Sequence, residues 1–149
     1  MKTARRLRYY CDHCGKTGGS RYYMERHESG CTANPNRVCC WCARFEYEQP
    51  KLTDLIALLP DPTKPVQTYQ PWDTEPPAPG AVPHSEWEAD IAKRAKALRE
   101  ACGCCAACLL AAVRQWRAMG GRDFDYAESL DFKAKDEFDA MKAELRDTP

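Results

Sequence analysis

The sequence predicts a mostly helical, small α+β fold organised by zinc, and three observations predict it. Cys11, Cys14, His27 and Cys31 are spaced C-x2-C-x12-H-x3-C. Segments after residue 50 repeat apolar side chains at intervals of three and four, the period of helices buried on one face. Eight prolines between residues 60 and 83 exclude a helix or a central strand from that stretch.

The front of the chain is read first. Tetrahedral zinc takes four thiolate or imidazole donors, and two cysteines flanking two residues grip one ion from a tight turn. Gly15 after Cys14 suits that turn, and the four-residue step from His27 to Cys31 sets both on one helix face. So short a segment buries too little apolar surface to fold alone, whereas structural zinc supplies roughly 10–16 kcal/mol of apparent binding energy. Disulfides or free thiols are the alternative, as in small secreted domains. The basic start from Met1 to Arg8 is followed by no apolar run, and no stretch reaches transmembrane length. A reducing cytoplasm is therefore the expected setting.

Tyr9-x-Cys11-x2-Cys14-Gly15-Lys16, with Met24 three residues before His27, resembles the ββα zinc finger of the CCHH and CCHC class over residues 7–31. The resemblance implies two short strands, a helix carrying His27 and Cys31, and one zinc. The family's aromatic before the first cysteine matches Tyr9, and its leucine-like position matches Met24. Its central aromatic is Gly18 here, so a thinner core and an irregular strand are expected. The runs T-A-N-P-N-R-V-C-C-W-C and L-R-E-A-C-G-C-C-A-A-C-L-L-A-A-V-R-Q also resemble uncharacterised small zinc proteins of tailed bacteriophages. That second resemblance implies a protein of the host cytoplasm and no particular activity.

Next along the chain, Leu52, Leu55, Ile56 and Leu59 predict a short amphipathic helix stopped by Pro60. The proline-rich stretch is expected to be extended and partly polyproline-like, and Val66, Tyr69 and Trp72 suggest that it lies along a surface. Ser85 and Glu88 form a capping box for a helix over 86–101, with Trp87, Ile91, Ala95 and Leu98 on one stripe. Leu109, Val113 and Trp116 predict a further helix ended by Gly120-Gly121. Ala134, Phe138, Met141 and Leu145 predict a last amphipathic helix that needs a surface to pack on. The expected organisation is a basic zinc-finger module at 1–45, a short helix and proline-rich connector at 46–84, and a helical region with a cysteine cluster at 85–149.

Seven of the ten cysteines lie outside the finger. Cys39 and Cys42 form one C-x2-C pair, and Cys105 with Cys108, or Cys102 with Cys105, forms another. Cys39, Cys42, Cys105 and Cys108 are the candidate ligands of a second zinc, although residues 43–104 between the pairs make a gap far longer than such sites usually have. A helix opening near Cys105 would favour thiolates at its positive end. The competing reading is one long helix from Trp87 to Trp116 that buries Cys102 and Cys105 as small hydrophobes, since Gly103 inside it costs only about 1 kcal/mol. Redox or catalytic thiols are a third reading.

Net charge is zero, but residues 1–45 hold nine Lys and Arg against three Asp and Glu, and residues 46–90 hold two against nine. Seven of the nine are arginines, Arg37 and Arg44 among them, the side chain best matched to phosphate and guanine edges. Arg5, Arg6, Arg8, Arg21 and Arg26 are candidate contacts to nucleic acid, with Tyr22 and Tyr23 as stacking rings. A solvated basic face paired with the acidic middle segment is the plain alternative. Only His13, His27 and His84 are available as histidine bases, and a closed four-ligand zinc has no open position for water. No phosphate loop, nucleophile elbow or deaminase pattern is present. The expectation is a non-catalytic protein contacting nucleic acid, DNA or RNA. The alternative is an adaptor or inhibitor that binds a host or viral protein through Tyr22, Tyr23, Trp72, Phe138 and Met141.

Overall fold

The computed structural model describes residues 7–64, 66–103, 105–122 and 132–147. The chain divides into two compact units, Met1–Gln49 and Pro50–Pro149.

In the first unit, β1 (Tyr9–Tyr10) pairs antiparallel with β2 (Thr17–Gly18), Tyr9 opposite Gly18. The turn between them carries the first cysteine pair: the Cys11 N–H donates to the Lys16 carbonyl (2.9 Å) and the Gly15 N–H to the Cys11 carbonyl (2.9 Å). Gly15 takes φ +70°, a conformation open to glycine at no steric cost. Helix α1 (Arg21–Gly30) follows and buries Met24. Cys11, Met24 and Cys31 form the miniature core, with Tyr9 and Ala33 packed against it. A Cβ on Gly18 would stand 2.9 Å from the Met24 methyl, so the place of the family's aromatic is filled from the helix, and the hairpin forms without it.

After α1 the chain is held by Asn34, whose side-chain N–H donates to the Glu28 carbonyl (2.8 Å) while its Oδ1 accepts from the Asn36 N–H (2.9 Å). Helix α2 (Cys40–Arg44) is one turn and a half. It ends with Glu46 at φ +58° and the Tyr47 N–H donating to the Cys42 carbonyl (2.9 Å), a left-handed helix stop normally given to glycine.

In the second unit, α3 (Leu52–Ala57) buries Leu55. β3 (Thr68–Tyr69) and β4 (Val82–Pro83) then pair in parallel across residues 70–81, about the length a parallel connection requires. The proline-rich stretch thus contains a strand pair, and Trp72 in its loop is 75% exposed. Helix α4 (His84–Cys102) starts directly from Pro83, which occupies the N-cap position. The expected capping box is absent: Ser85 lies inside the helix, and the Glu88 carboxylate faces His84 Nε2 at 3.3 Å. Proline's fixed φ suits a helix start, so the helix begins before the serine.

Gly103 (φ +57°, ψ −134°) separates α4 from α5 (Ala106–Ala118), which overturns the single long helix. Ala111, Ala112 and Val113 are wholly buried and Trp116 is 1% exposed, so α5 is the central element, apolar and enclosed on every side from Ala106 to Val113, with Arg114 and Arg117 exposed beyond. The Trp116 indole N–H donates to the Pro60 carbonyl (2.6 Å), and Gly120 at φ +101° with the Gly121 N–H on the Trp116 carbonyl (3.1 Å) stops the helix. α3, α4 and α6 (Ala134–Asp147) each pack on α5, so the tail helix has the surface it needed. The class is mostly α with small two-stranded sheets.

Candidate metal centres

Hairpin and helix bring Cys11, Cys14, His27 and Cys31 together, with one ligand atom from each and all four within 4.8 Å of one another. Cys14 Sγ lies 3.2 Å from His27 Nε2. Cys11 and Cys31 are buried, whereas Cys14 is exposed and His27 half-buried. Glu28, which sequence reasoning passed over, braces the turn: its carboxylate accepts the Asp12 N–H at 2.9 Å. Metal aside, the contact with His27 lowers the Cys14 thiol to about 7, while burial raises Cys31. A bound cation overrides both tendencies and deprotonates every coordinating thiol.

Each unit also carries a buried C-x2-C pair, Cys39 with Cys42 in the first and Cys105 with Cys108 in the second, none of the four more than 2% exposed. Both pairs use one local device. Cys39 is the N-cap of α2 and Cys105 the N-cap of α5, while Cys42 and Cys108 are the third residues of those helices. An N-cap side chain turns over the first helical turn toward position three, which aims the two sulfurs of each pair at one point. The backbone agrees: the Ala43 N–H donates to the Cys39 carbonyl (3.1 Å) and the Leu109 N–H to the Cys105 carbonyl (3.3 Å). Gln49 holds the first pair in place, its Oε1 accepting the Cys39 N–H and its Nε2 donating to the Arg37 carbonyl (3.0 Å).

Cys102 stays outside both pairs. It is the last residue of α4, buried, and the Gly103 break turns the chain before Cys105. Burial, with the neighbouring Cys105 charge, pushes its thiol up to about 12, so it behaves as a small apolar side chain. No disulfide joins any of the nine described cysteines. Three thiolates and an imidazole match the tetrahedral donor set of structural zinc. The finger therefore carries residues fit for zinc, and each buried C-x2-C pair supplies two further thiols.

The candidate nucleic-acid residues lie mostly on the finger. Arg8, Arg21 and Arg26 are exposed, Tyr22 and Tyr23 are 62% and 71% exposed, and these two rings meet edge to face at 5.6 Å. Arg21 pairs with Glu25 at 2.7 Å, a solvent-exposed contact of little energetic weight. Arg5 and Arg6 lie outside the described residues. Arg37 is only 6% exposed, which removes it from the basic surface. Of the adaptor residues, Trp72 is exposed, Phe138 half-buried and Met141 buried in the core of the second unit; Met141 is thus no free anchor. No helix among the described residues is long and apolar enough to cross a membrane. Comparison with protein-family models, curated proteins and solved structures gave no match to this chain.

Proposed function

We propose that this is a non-catalytic, zinc-stabilised protein that contacts nucleic acid through its basic first unit. The ββα resemblance supplies the finger, and the bacteriophage resemblance suggests a host cytoplasm as its place of action. The reading rests on one observation above all: around a sulfur-rich site the exposed side chains include Arg8, Arg26, Tyr22 and Tyr23, a cationic and aromatic surface suited to phosphates and bases. Saturated four-donor zinc leaves no position to activate water, so the metal would act by holding the backbone.

The test is salt-dependent binding. Anisotropy of a labelled oligonucleotide with the zinc-loaded full chain should give a log affinity that falls steeply with log salt, consistent with about three to five phosphate contacts. Arg21→Glu with Arg26→Glu should abolish retention. Salt-independent binding, or unchanged affinity of the double variant, would refute the proposal. A second reading, a protein-binding adaptor, is favoured by Trp72, 75% exposed, because exposed tryptophan is a frequent anchor of interfaces. Trp72→Ala losing a protein partner while keeping nucleic-acid retention would decide for it.

A further inference from the structure

We infer that the nucleic acid taken by this chain is single-stranded, and that an aromatic column at Trp41, Phe45 and Tyr47 is a platform for its bases; the inference rests on the nucleic-acid reading above. The three rings form a continuous stack. Trp41 and Phe45 lie 6.3 Å apart with planes 21° from parallel, and Phe45 and Tyr47 lie 5.5 Å apart at 12°. One helical turn sets the first pair side by side. The second pair is two residues apart, a spacing that does not normally bring rings together. Glu46 at φ +58° turns the chain back so that it does. A non-glycine residue in that conformation is uncommon, and here it aligns two rings.

The column is accessible and its charge is right. Tyr47 is 42% exposed, Trp41 and Phe45 are half-buried, and Arg44 between them in sequence is exposed with no ion pair to a described residue. The two tyrosines of the finger helix add more ring surface. In a duplex the bases cover one another's faces, so a helix reads their edges through hydrogen bonds from polar side chains. Phe45 is covered on both sides within the column, so the outer faces of Trp41 and Tyr47, beside an arginine, suit bases that are already unstacked, whose faces are free and whose phosphates need a cation. Of the finger helix's forward positions only Arg26 is a strong edge reader, whereas Tyr22 and Tyr23 are ring-bearing. Both features of the first unit therefore point to one ligand class.

The experiment compares labelled DNA and RNA single strands with a DNA duplex of equal length, using the zinc-loaded full chain, with Tyr47→Leu and Trp41→Phe alongside. Single strands should bind about tenfold more tightly than duplex, and Tyr47→Leu should lose about tenfold on single strands and little on duplex. Tryptophan emission should fall as single strand is added, and fall less in Trp41→Phe. The stronger of the DNA and RNA arms identifies the sugar, through its 2′-hydroxyl. Native mass spectrometry of each variant checks that zinc is retained, and the strand preference and quenching of the unaltered chain need no variant. Equal binding of duplex and single strand, or a single-strand preference that neither substitution alters, overturns the inference and leaves the nucleic-acid reading standing. Absence of salt-sensitive binding in every arm overturns both.

Discussion

Gly121→Ala gives the sharpest test of the helical unit, because the space it would fill is already taken. A Cβ built on Gly121 falls 2.3, 2.4 and 2.5 Å from Cδ2, Cε2 and Cε3 of Trp116. Carbon atoms rest at about 3.5–4.0 Å, so the indole must retreat by roughly 1 Å. It has no free room, being 1% exposed with its N–H on the Pro60 carbonyl at 2.6 Å. Overpacking of this kind costs about 1–3 kcal/mol, and a stretched hydrogen bond adds about 1 kcal/mol. The expected loss is about 2–4 kcal/mol, or a melting temperature lower by on the order of 5–15 °C for a chain of this size. Urea denaturation followed by tryptophan fluorescence measures it, with Gly19→Ala as control, since a Cβ there meets nothing within 4 Å. Trp116 is near the end of α5 opposite Cys105 and Cys108, so zinc content should be unchanged. A midpoint within about 0.5 kcal/mol of the parent would refute the seating of the indole against this glycine.

Native mass spectrometry of the parent should count two zinc ions, and Cys14→Ser and Cys108→Ser should each lose one. Cys108→Ser should also destabilise the chain more, by about 1–3 kcal/mol, because the side chain is 1% exposed and a hydroxyl costs more to desolvate than a thiol. Glu46→Gly should raise stability by about 0.5–1 kcal/mol, measured by urea midpoint, because glycine carries no penalty at that left-handed position. Zinc should leave the finger as pH falls, because protons compete with the ion for its three thiolates and its imidazole, and His27→Ala should move that release to higher pH, read by native mass spectrometry across a pH series.

Metal geometry is written directly into sequence spacing, which is why the finger ligands and the pair Cys39/Cys42 could be read from the chain alone. The partner pair was harder. Cys102, Cys105 and Cys108 all stand three apart, and only the positive φ of Gly103 separates the first from the others; a glycine costs a helix too little for its mere presence to predict a break. The strand pair at Thr68–Tyr69 and Val82–Pro83 left no trace, because a ladder of two residues has no periodicity and the prolines argued against it. Arginine is rarely buried, which is why the sequence reads Arg37 as part of a basic surface, yet it lies beside the Gln49 clasp that orders the Cys39/Cys42 pair. The aromatic column was equally hidden: the Phe45–Tyr47 stack depends on the left-handed turn at Glu46, which glutamate does not announce.

The finger ligands and the outer C-x2-C pairs differ in how much chain each must wait for. The former lie within the 21 residues from Cys11 to Cys31, which a ribosome makes in about 1–4 s at roughly 5–20 residues per second. The latter include Cys105 and Cys108, and residues 43–104 must be synthesised after Cys42, an interval of about 3–12 s. During that time Cys39 and Cys42 leave the exit tunnel as a C-x2-C pair open to any thiophilic ion or oxidant nearby. Loading of the nascent chain therefore has a direction, the finger ion first and any metal on the outer pairs last.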